Sequence, residues 1–392
     1  TNAAQRKEEI GKADLVISLL PPHMHVIPAR ECLLVNTHLV TASYVSDEMA
    51  SFDEEAKSKG LLFLNEIGVD PGIDHMSAME MVHRVKERGG KLVSFKSFCG
   101  ALVAPESKNE WGYKFTWAPR NIILAGQGVA RYLRHGMVKY LPYHRLFGRF
   151  ENVNVLGTGK FEAYANRDSV KYMKLYDLEG IETLYRATLR FPGYCEMWDA
   201  FVQMGMTDAE ITMKNSKTMT YHDFTFSFIN PQPGLNEVES LAFFLNKESD
   251  SPIIQKLVNL GLLSDQVIGL ENASPADILQ QLLMGKWVFE EDDTDMVVMQ
   301  HQLDFELDGK MHRMTASMVD KGRSVAHTAI SRTVGLPAAI AAKHILRGSI
   351  ETRGVAIPTM ADIYAPVLKE LEDFEISFKE EEHLLTEAEL VH

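Results

Sequence analysis

Leu61–Met76 reads LLFLNEIGVDPGIDHM. The apolar run Leu61–Glu66 is a buried-strand pattern, broken at Gly68. Pro71 and Gly72 then force a tight turn. From Asp74 onward Met76, Met79, Val82 and Val85 recur at the spacing of a helix stripe. The segment is therefore strand, turn, helix, with Asp70 in the turn. Open α/β sheets bind ligands at such carboxyl ends of strands. Asp70 and Asp74 are also the residue type that caps helix starts, so the motif alone leaves capping and chemistry both open.

Upstream, Ala13–Leu20 (ADLVISLL) is a strand run stopped by Pro21 and Pro22. A helix over 26–34, a strand over 38–43 and a helix over 48–60 follow. Strands alternating with short helices imply βαβ units and a parallel sheet. The expected fold class is α/β, a partial Rossmann-type, doubly wound parallel sheet joined to a substrate domain with a mixed sheet. A dinucleotide fold carries a Gly-rich G-x-G-x-x-G loop after its first strand. Gly126-x-Gly128 and Gly157-x-Gly159 lack the third glycine and the flanking strand and helix. The reading expects two or three βα units, about 70 residues, ahead of this stretch. A polypeptide without them is expected to bind a nicotinamide cofactor poorly.

From Lys91 the pattern changes. Runs at 92–99, 153–155, 182–189, 223–228, 296–305 and 312–318 alternate as strands do, and suggest a mixed or antiparallel sheet. Helices are expected over 241–245, 253–260, 276–284 and 333–346. The acidic stretch 370–389 reads as solvated surface or a frayed end. The domain expectation is 1–90 for half of a dinucleotide-binding domain, 91–330 for a substrate-binding and dimerisation domain, and 331–392 for a helical segment returning to the first.

The formal net charge of −14 over 392 residues argues against nucleic acid and anionic membranes as partners. Three widely spaced cysteines, Cys32, Cys99 and Cys195, form neither a disulfide framework nor a zinc pattern. No metal site is expected, and a reducing, cytoplasmic setting fits.

Four local features carry chemistry. Tyr44 and Asp70 end consecutive strands, so they are expected over one crevice. Asp can carry a proton when partly desolvated, and Tyr can hydrogen-bond a reacting atom. Cys99 ends another strand and could join them, although cysteine is also a common small buried residue. Arg186 and Arg190, in RATLR, fall on one face of a strand. Together with Arg167 in NRDS they suit bidentate capture of carboxylates. Surface salt bridges are the plainer alternative for them.

The motifs ADLVISLLPPHMH, HLVTASYVSDEM, NEIGVDPGIDHM, YKFTWAP, NRDS, TLRFPGY and TVGLPAAIAA occur in the order seen in the glutamate-forming saccharopine dehydrogenases (saccharopine reductases). The chain resembles that family from Ala13 to Pro366. The resemblance implies an NADP- or NAD-dependent oxidoreductase acting on CH–NH groups. Its reaction interconverts saccharopine with glutamate and 2-aminoadipate 6-semialdehyde in lysine metabolism. It implies a small-molecule substrate and a homodimer. By matching position, Ser43, Val69, Asp70, Pro71 and Trp117 border the nicotinamide. Tyr44, Arg167, Thr188, Leu189 and Arg190 hold substrate, and Asp70, Tyr44 and Cys99 are the candidates for proton traffic. Alternatives of the same architecture are carboxynorspermidine or lysine-6-dehydrogenase types. A non-catalytic paralogue, or a fragment unable to hold cofactor, is the alternative from outside enzymology.

Overall fold

A computed structural model describes residues 2–390. The chain divides into two units. The first contains the residues up to Cys99, then 171–184 and those from 296 onward; the second contains 100–170 and 185–295.

In the first unit, strands Leu15–Ile17, His38–Val40 and Leu62–Leu64 lie side by side, all parallel. Gly354–Ala356 adds a fourth parallel strand against Leu62–Leu64. Helix Val26–Val35 follows the first strand, and two short helices, Asp47–Ala50 and Asp53–Ser58, follow the second. The single helix expected over 48–60 is interrupted at Ser51 and Phe52. Ala29, Cys32, Leu33, Leu39, Met49, Ala56 and Phe63 form the core that fixes these elements. Burial of such side chains, worth ~1.5–3 kcal/mol each for the larger ones, is what pins strand to helix here. The fold class expected from the sequence, α/β with a parallel sheet and a second, mixed sheet, is the one observed.

The same unit holds antiparallel strands Asp295–Leu307 and Lys310–Lys321, paired Met296 to Lys321 through Leu307 to Lys310. The acidic tail is not frayed where it reaches them. Lys379–Leu384 forms an edge strand on Lys310–Lys321, with every residue exposed. Bidentate ion pairs hold it, Arg84 to Glu380 and Arg88 to Glu382.

In the second unit, hairpins Val129–Arg134/Met137–Pro142 and Phe150–Val155/Gly159–Ala165 join residues 185–190 of strand Thr183–Arg190, the latter hairpin pairing Tyr164 with Thr188. Helices Tyr194–Met204, Glu237–Phe244, Pro252–Leu260 and Pro275–Met284 complete it. One expected strand is a helix. Residues 223–228 fall largely within Tyr221–Phe226, whose start is fixed by a capping box between Thr220 and Asp223. That local hydrogen-bond pair outweighs the alternation of DFTFSF. Among the described residues, no helix is long and apolar enough to cross a membrane.

Candidate active site

The turn after Leu62–Leu64 is built as the sequence implies. Helix Ile73–Glu87 begins at Gly72, whose φ of 147° and crowding against Gly68 exclude a side chain: a Cβ there would sit 2.0 Å from the Gly68 carbonyl oxygen. The Gly68 N–H donates to the Pro71 carbonyl, and the Asp70–Pro71 peptide is cis. Asp74 is buried and its Oδ1 accepts from the Gly72 N–H at 2.6 Å, so Asp74 takes the capping role. Asp70 remains half-exposed at the apex. Val69 is buried and Pro71 half-buried beside it.

Tyr44 and Ser43 follow the neighbouring strand His38–Val40. Tyr44 is 42% exposed, and Lys171 Nζ lies 4.9 Å from its ring centroid. Ser43 Oγ is 2.7 Å from His25 Nε2, and His25 Nδ1 is 2.8 Å from Ser18 Oγ. Burial pulls the His25 imidazole below its ordinary value, which favours its neutral form.

Beneath this turn lies a group the sequence reading passed over. Glu66 is 7% exposed and has φ 57°, a left-handed conformation uncommon outside glycine, asparagine and aspartate. Its Oε2 is 2.9 Å from His75 Nε2, and His75 Nδ1 is 2.6 Å from the Tyr176 hydroxyl. His75 is completely buried in the first turn of its helix. Burial pushes the Glu66 carboxyl up. The His75 hydrogen bond and charge, the Val45 N–H and Lys171 pull it further down, so the net shift is below the ordinary carboxylate value. Cys99 is half-buried in strand Lys91–Val103.

The second unit carries the cationic set. Thr183–Arg190 is a strand, and Arg186 and Arg190 are 5% and 3% exposed. Burial at both positions removes the surface salt-bridge reading. Arg190 Nη1 donates to the Leu189 carbonyl at 2.8 Å, and Nη2 lies 3.4 Å from the Tyr164 hydroxyl. No carboxylate pairs with it among the described residues, and its Nε is buried without a hydrogen-bond partner. Its guanidinium carbon sits 5.2, 5.7 and 5.2 Å from the ring centroids of Tyr113, Tyr164 and Tyr194. Trp198 stacks on Tyr194, and Trp287 packs edge-on against Tyr113. Among the described residues, the Tyr113 hydroxyl and the Trp198 and Trp287 indole N–H groups are also buried without hydrogen-bond partners.

Burial raises all three phenols, Tyr113 to about 12, against the opposing pull of the Arg190 charge. They stay neutral and able to donate. The nest is therefore rich in donors, and Glu162, the cross-strand neighbour of Arg190, spends its carboxylate on backbone N–H groups rather than on the guanidinium. Glu162 supports it by accepting from the Gly193 and Cys195 N–H groups at 2.7 and 2.9 Å, which anchors the helix bearing Tyr194 and Trp198.

NRDS is pinned by its neighbours: Asp168 takes a bidentate ion pair from Arg131, and Ser169 Oγ accepts from the Arg186 N–H. This leaves Arg167 exposed at φ 32°. Thr188 is half-buried, Leu189 buried and Trp117 39% exposed. Gly100 is required where Leu189 passes, because a Cβ would meet its carbonyl oxygen at 2.7 Å.

Residues 68–376 match the family described as Saccharopine dehydrogenase C-terminal domain. The chain is similar to Saccharopine dehydrogenase (NADP(+), L-glutamate-forming) of Pyricularia oryzae, 34% identical over 375 residues, 93% of this chain and 83% of the relative. The Saccharomyces cerevisiae protein of the same name is 34% identical over 92% of this chain and 82% of its own. Alpha-aminoadipic semialdehyde synthase of Arabidopsis thaliana is 33% identical over 95% of this chain and 37% of its own. Among solved structures, the apo histidine-tagged saccharopine dehydrogenase (L-Glu forming) of Saccharomyces cerevisiae superposes with a TM-score of 0.89 at 32% identity, covering 97% of this chain and 87% of the other. The chain belongs to the saccharopine dehydrogenase family.

Proposed function

We infer that this protein is an NADP-dependent, glutamate-forming saccharopine dehydrogenase, which interconverts saccharopine with glutamate and 2-aminoadipate 6-semialdehyde. The names of the relatives support the reaction. The observation that carries the reading is Arg190, a buried guanidinium with no ion-pair partner among the described residues, in a chain of net charge −14. A buried unpaired charge costs several kcal/mol. It is retained where a ligand anion answers it, and saccharopine is a polycarboxylate.

In this reading Arg190, Arg167, Thr188 and Leu189 hold carboxylates, with Tyr44 also touching substrate. Ser43, Val69, Asp70, Pro71 and Trp117 border the nicotinamide, which supplies the hydride chemistry when bound. The glycines at 68 and 72 let the turn close tightly on itself, which fixes the backbone that carries Asp70. Asp70 takes the proton of the substrate amine as it is oxidised to the imine. Tyr44 orients that nitrogen, and Cys99 has the lesser part. A positioned acid–base group contributes ~10²–10⁴-fold. The reading includes a cytoplasmic homodimer; three free cysteines suit a reducing compartment. Sedimentation and cell fractionation check these two points.

The test is the near-ultraviolet absorbance of reduced nicotinamide, with full-length gene product, saccharopine and each of NADP⁺ and NAD⁺. A saccharopine-dependent rise, faster with NADP⁺, is expected. Folded, cofactor-binding protein that gives no rise moves the assignment to a sister amine dehydrogenase or a non-catalytic relative.

A further inference from the structure

We propose that Glu66 is a positioning residue that sets Tyr44 against the Asp70 turn, locked in place by His75 and Tyr176. The inference rests on the reading of Tyr44 and Asp70 given above, and deepens it.

Tyr44 is flanked by two hydrogen bonds, and Glu66 makes both. The Glu66 N–H donates to the Ser43 carbonyl at 3.0 Å, and Glu66 Oε1 accepts the Val45 N–H at 3.0 Å. The residues immediately before and after Tyr44 are thus clamped by one side chain and its own amide. The second oxygen of the same carboxylate reaches His75 Nε2, and His75 stands three residues beyond Gly72 in the helix that closes the Asp70 turn. Tyr176 holds the other ring nitrogen, and the Tyr172 ring stacks on the imidazole at 5.9 Å. One buried chain of hydrogen bonds therefore registers the Tyr44 loop to the Asp70 turn.

The φ of 57° at Glu66 bears on the same point. A left-handed non-glycine residue costs of order 1 kcal/mol or more, and such residues cluster at functional sites. In that conformation Glu66 directs both its N–H and its carboxylate at the Tyr44 loop. Glycine would relieve the backbone and lose the carboxylate. A buried carboxylate is retained only where its oxygens are answered. Here Val45 answers one and His75 the other, so removal of the carboxylate releases both sides at once. Displacement of a reacting group by about 1 Å can cost on the order of 10²-fold in rate.

The test is a double-mutant cycle on kcat in full-length enzyme, with NADP⁺ and saccharopine: wild type, Glu66→Ala, Tyr44→Phe and the pair. Glu66→Ala is expected to lower kcat roughly ten- to a hundredfold, with the saccharopine KM within about twofold, because Glu66 holds a reacting group rather than the substrate. The pair is expected to be no slower than the slower single variant, since both act through one group. Glu66→Gln keeps an acceptor for the Val45 N–H and should recover most of kcat. Losses that multiply in the pair, wild-type kcat in Glu66→Ala, or a Gln variant as slow as the Ala variant each overturn the proposal. If Glu66→Ala lacks the wild-type circular dichroism spectrum, His75→Gln cuts the same chain from the helix side and takes its place in the cycle, under the same criteria. Tyr44→Phe at wild-type kcat overturns the assignment of Tyr44 itself, whatever Glu66 does.

Discussion

Two buried polar centres in this molecule are built on opposite principles. Around Glu66, each strong group meets its complement: carboxylate with imidazole, imidazole with phenol, carboxylate with backbone N–H. Around Arg190, donors meet mainly aromatic faces and other donors, and the guanidinium Nε, the Tyr113 hydroxyl and two indole N–H groups have no hydrogen-bond partner among the described residues. The difference separates a centre that holds parts of the protein in register from one that accepts something from outside. Unanswered buried donors cost roughly 1–3 kcal/mol each. A fold keeps several in one place only when binding returns that cost.

Predictions that would break or sharpen this contrast follow from the largest effect downward. Asp70→Asn should lower kcat by ~10²–10⁴-fold with the fold intact; wild-type turnover would remove Asp70 from proton transfer. Arg190→Met should raise the saccharopine KM by about 10²-fold, ~2.7 kcal/mol, toward the lower end of the ~2–5 kcal/mol typical for breaking a buried charge pair. The same variant should keep or raise Tm, because removal of an unpaired buried charge offsets the lost cation–π contacts, ~2 kcal/mol or more. A large drop in Tm would mean that Arg190 holds the fold together, as Glu66 does.

Glu66 should contribute to the pH dependence of stability. Burial raises its carboxyl, but chiefly the His75 hydrogen bond and charge outweigh this and hold it below the ordinary glutamate value in the folded state. The unfolded chain therefore binds the proton more readily. Its contribution is present above about pH 4.5 and is lost as pH falls through the lower folded value. Urea unfolding should show wild type more stable than Glu66→Gln near neutrality, with the gap narrowing as pH falls below the ordinary carboxylate range. A gap independent of pH would mean that the charge contributes nothing. Arg167→Ala should have the smallest effect, below about fivefold in KM, since exposed ion pairs contribute ~0–1 kcal/mol.

Much of this was legible in the sequence. The strand, turn and helix of 61–87 announced themselves through the apolar run, Pro71, Gly72 and the Met76-to-Val85 stripe. The even spacing of Arg186 and Arg190 placed them on one face of a strand. The depth of Arg190 was not legible, because the residues that enclose it, Tyr113, Tyr164, Tyr194, Trp198 and Trp287, come from distant segments that only folding brings together. Glu66 looked like a polar strand end; its left-handed backbone, which aims it at Tyr44, has no signature in a glutamate. The strand Gly354–Ala356 is three residues long, too short for any period to register. DFTFSF carried a true alternation that the Thr220–Asp223 cap overrode.

The most direct test of the central claim is the initial rate against saccharopine concentration for full-length wild type, Arg190→Met and Arg190→Lys, with NADP⁺ saturating. A wild-type saturation curve, a Met variant shifted by about 10²-fold in KM with kcat less affected, and a Lys variant between them would fit a carboxylate held by a buried guanidinium. A Met variant that saturates with the wild-type KM would contradict it.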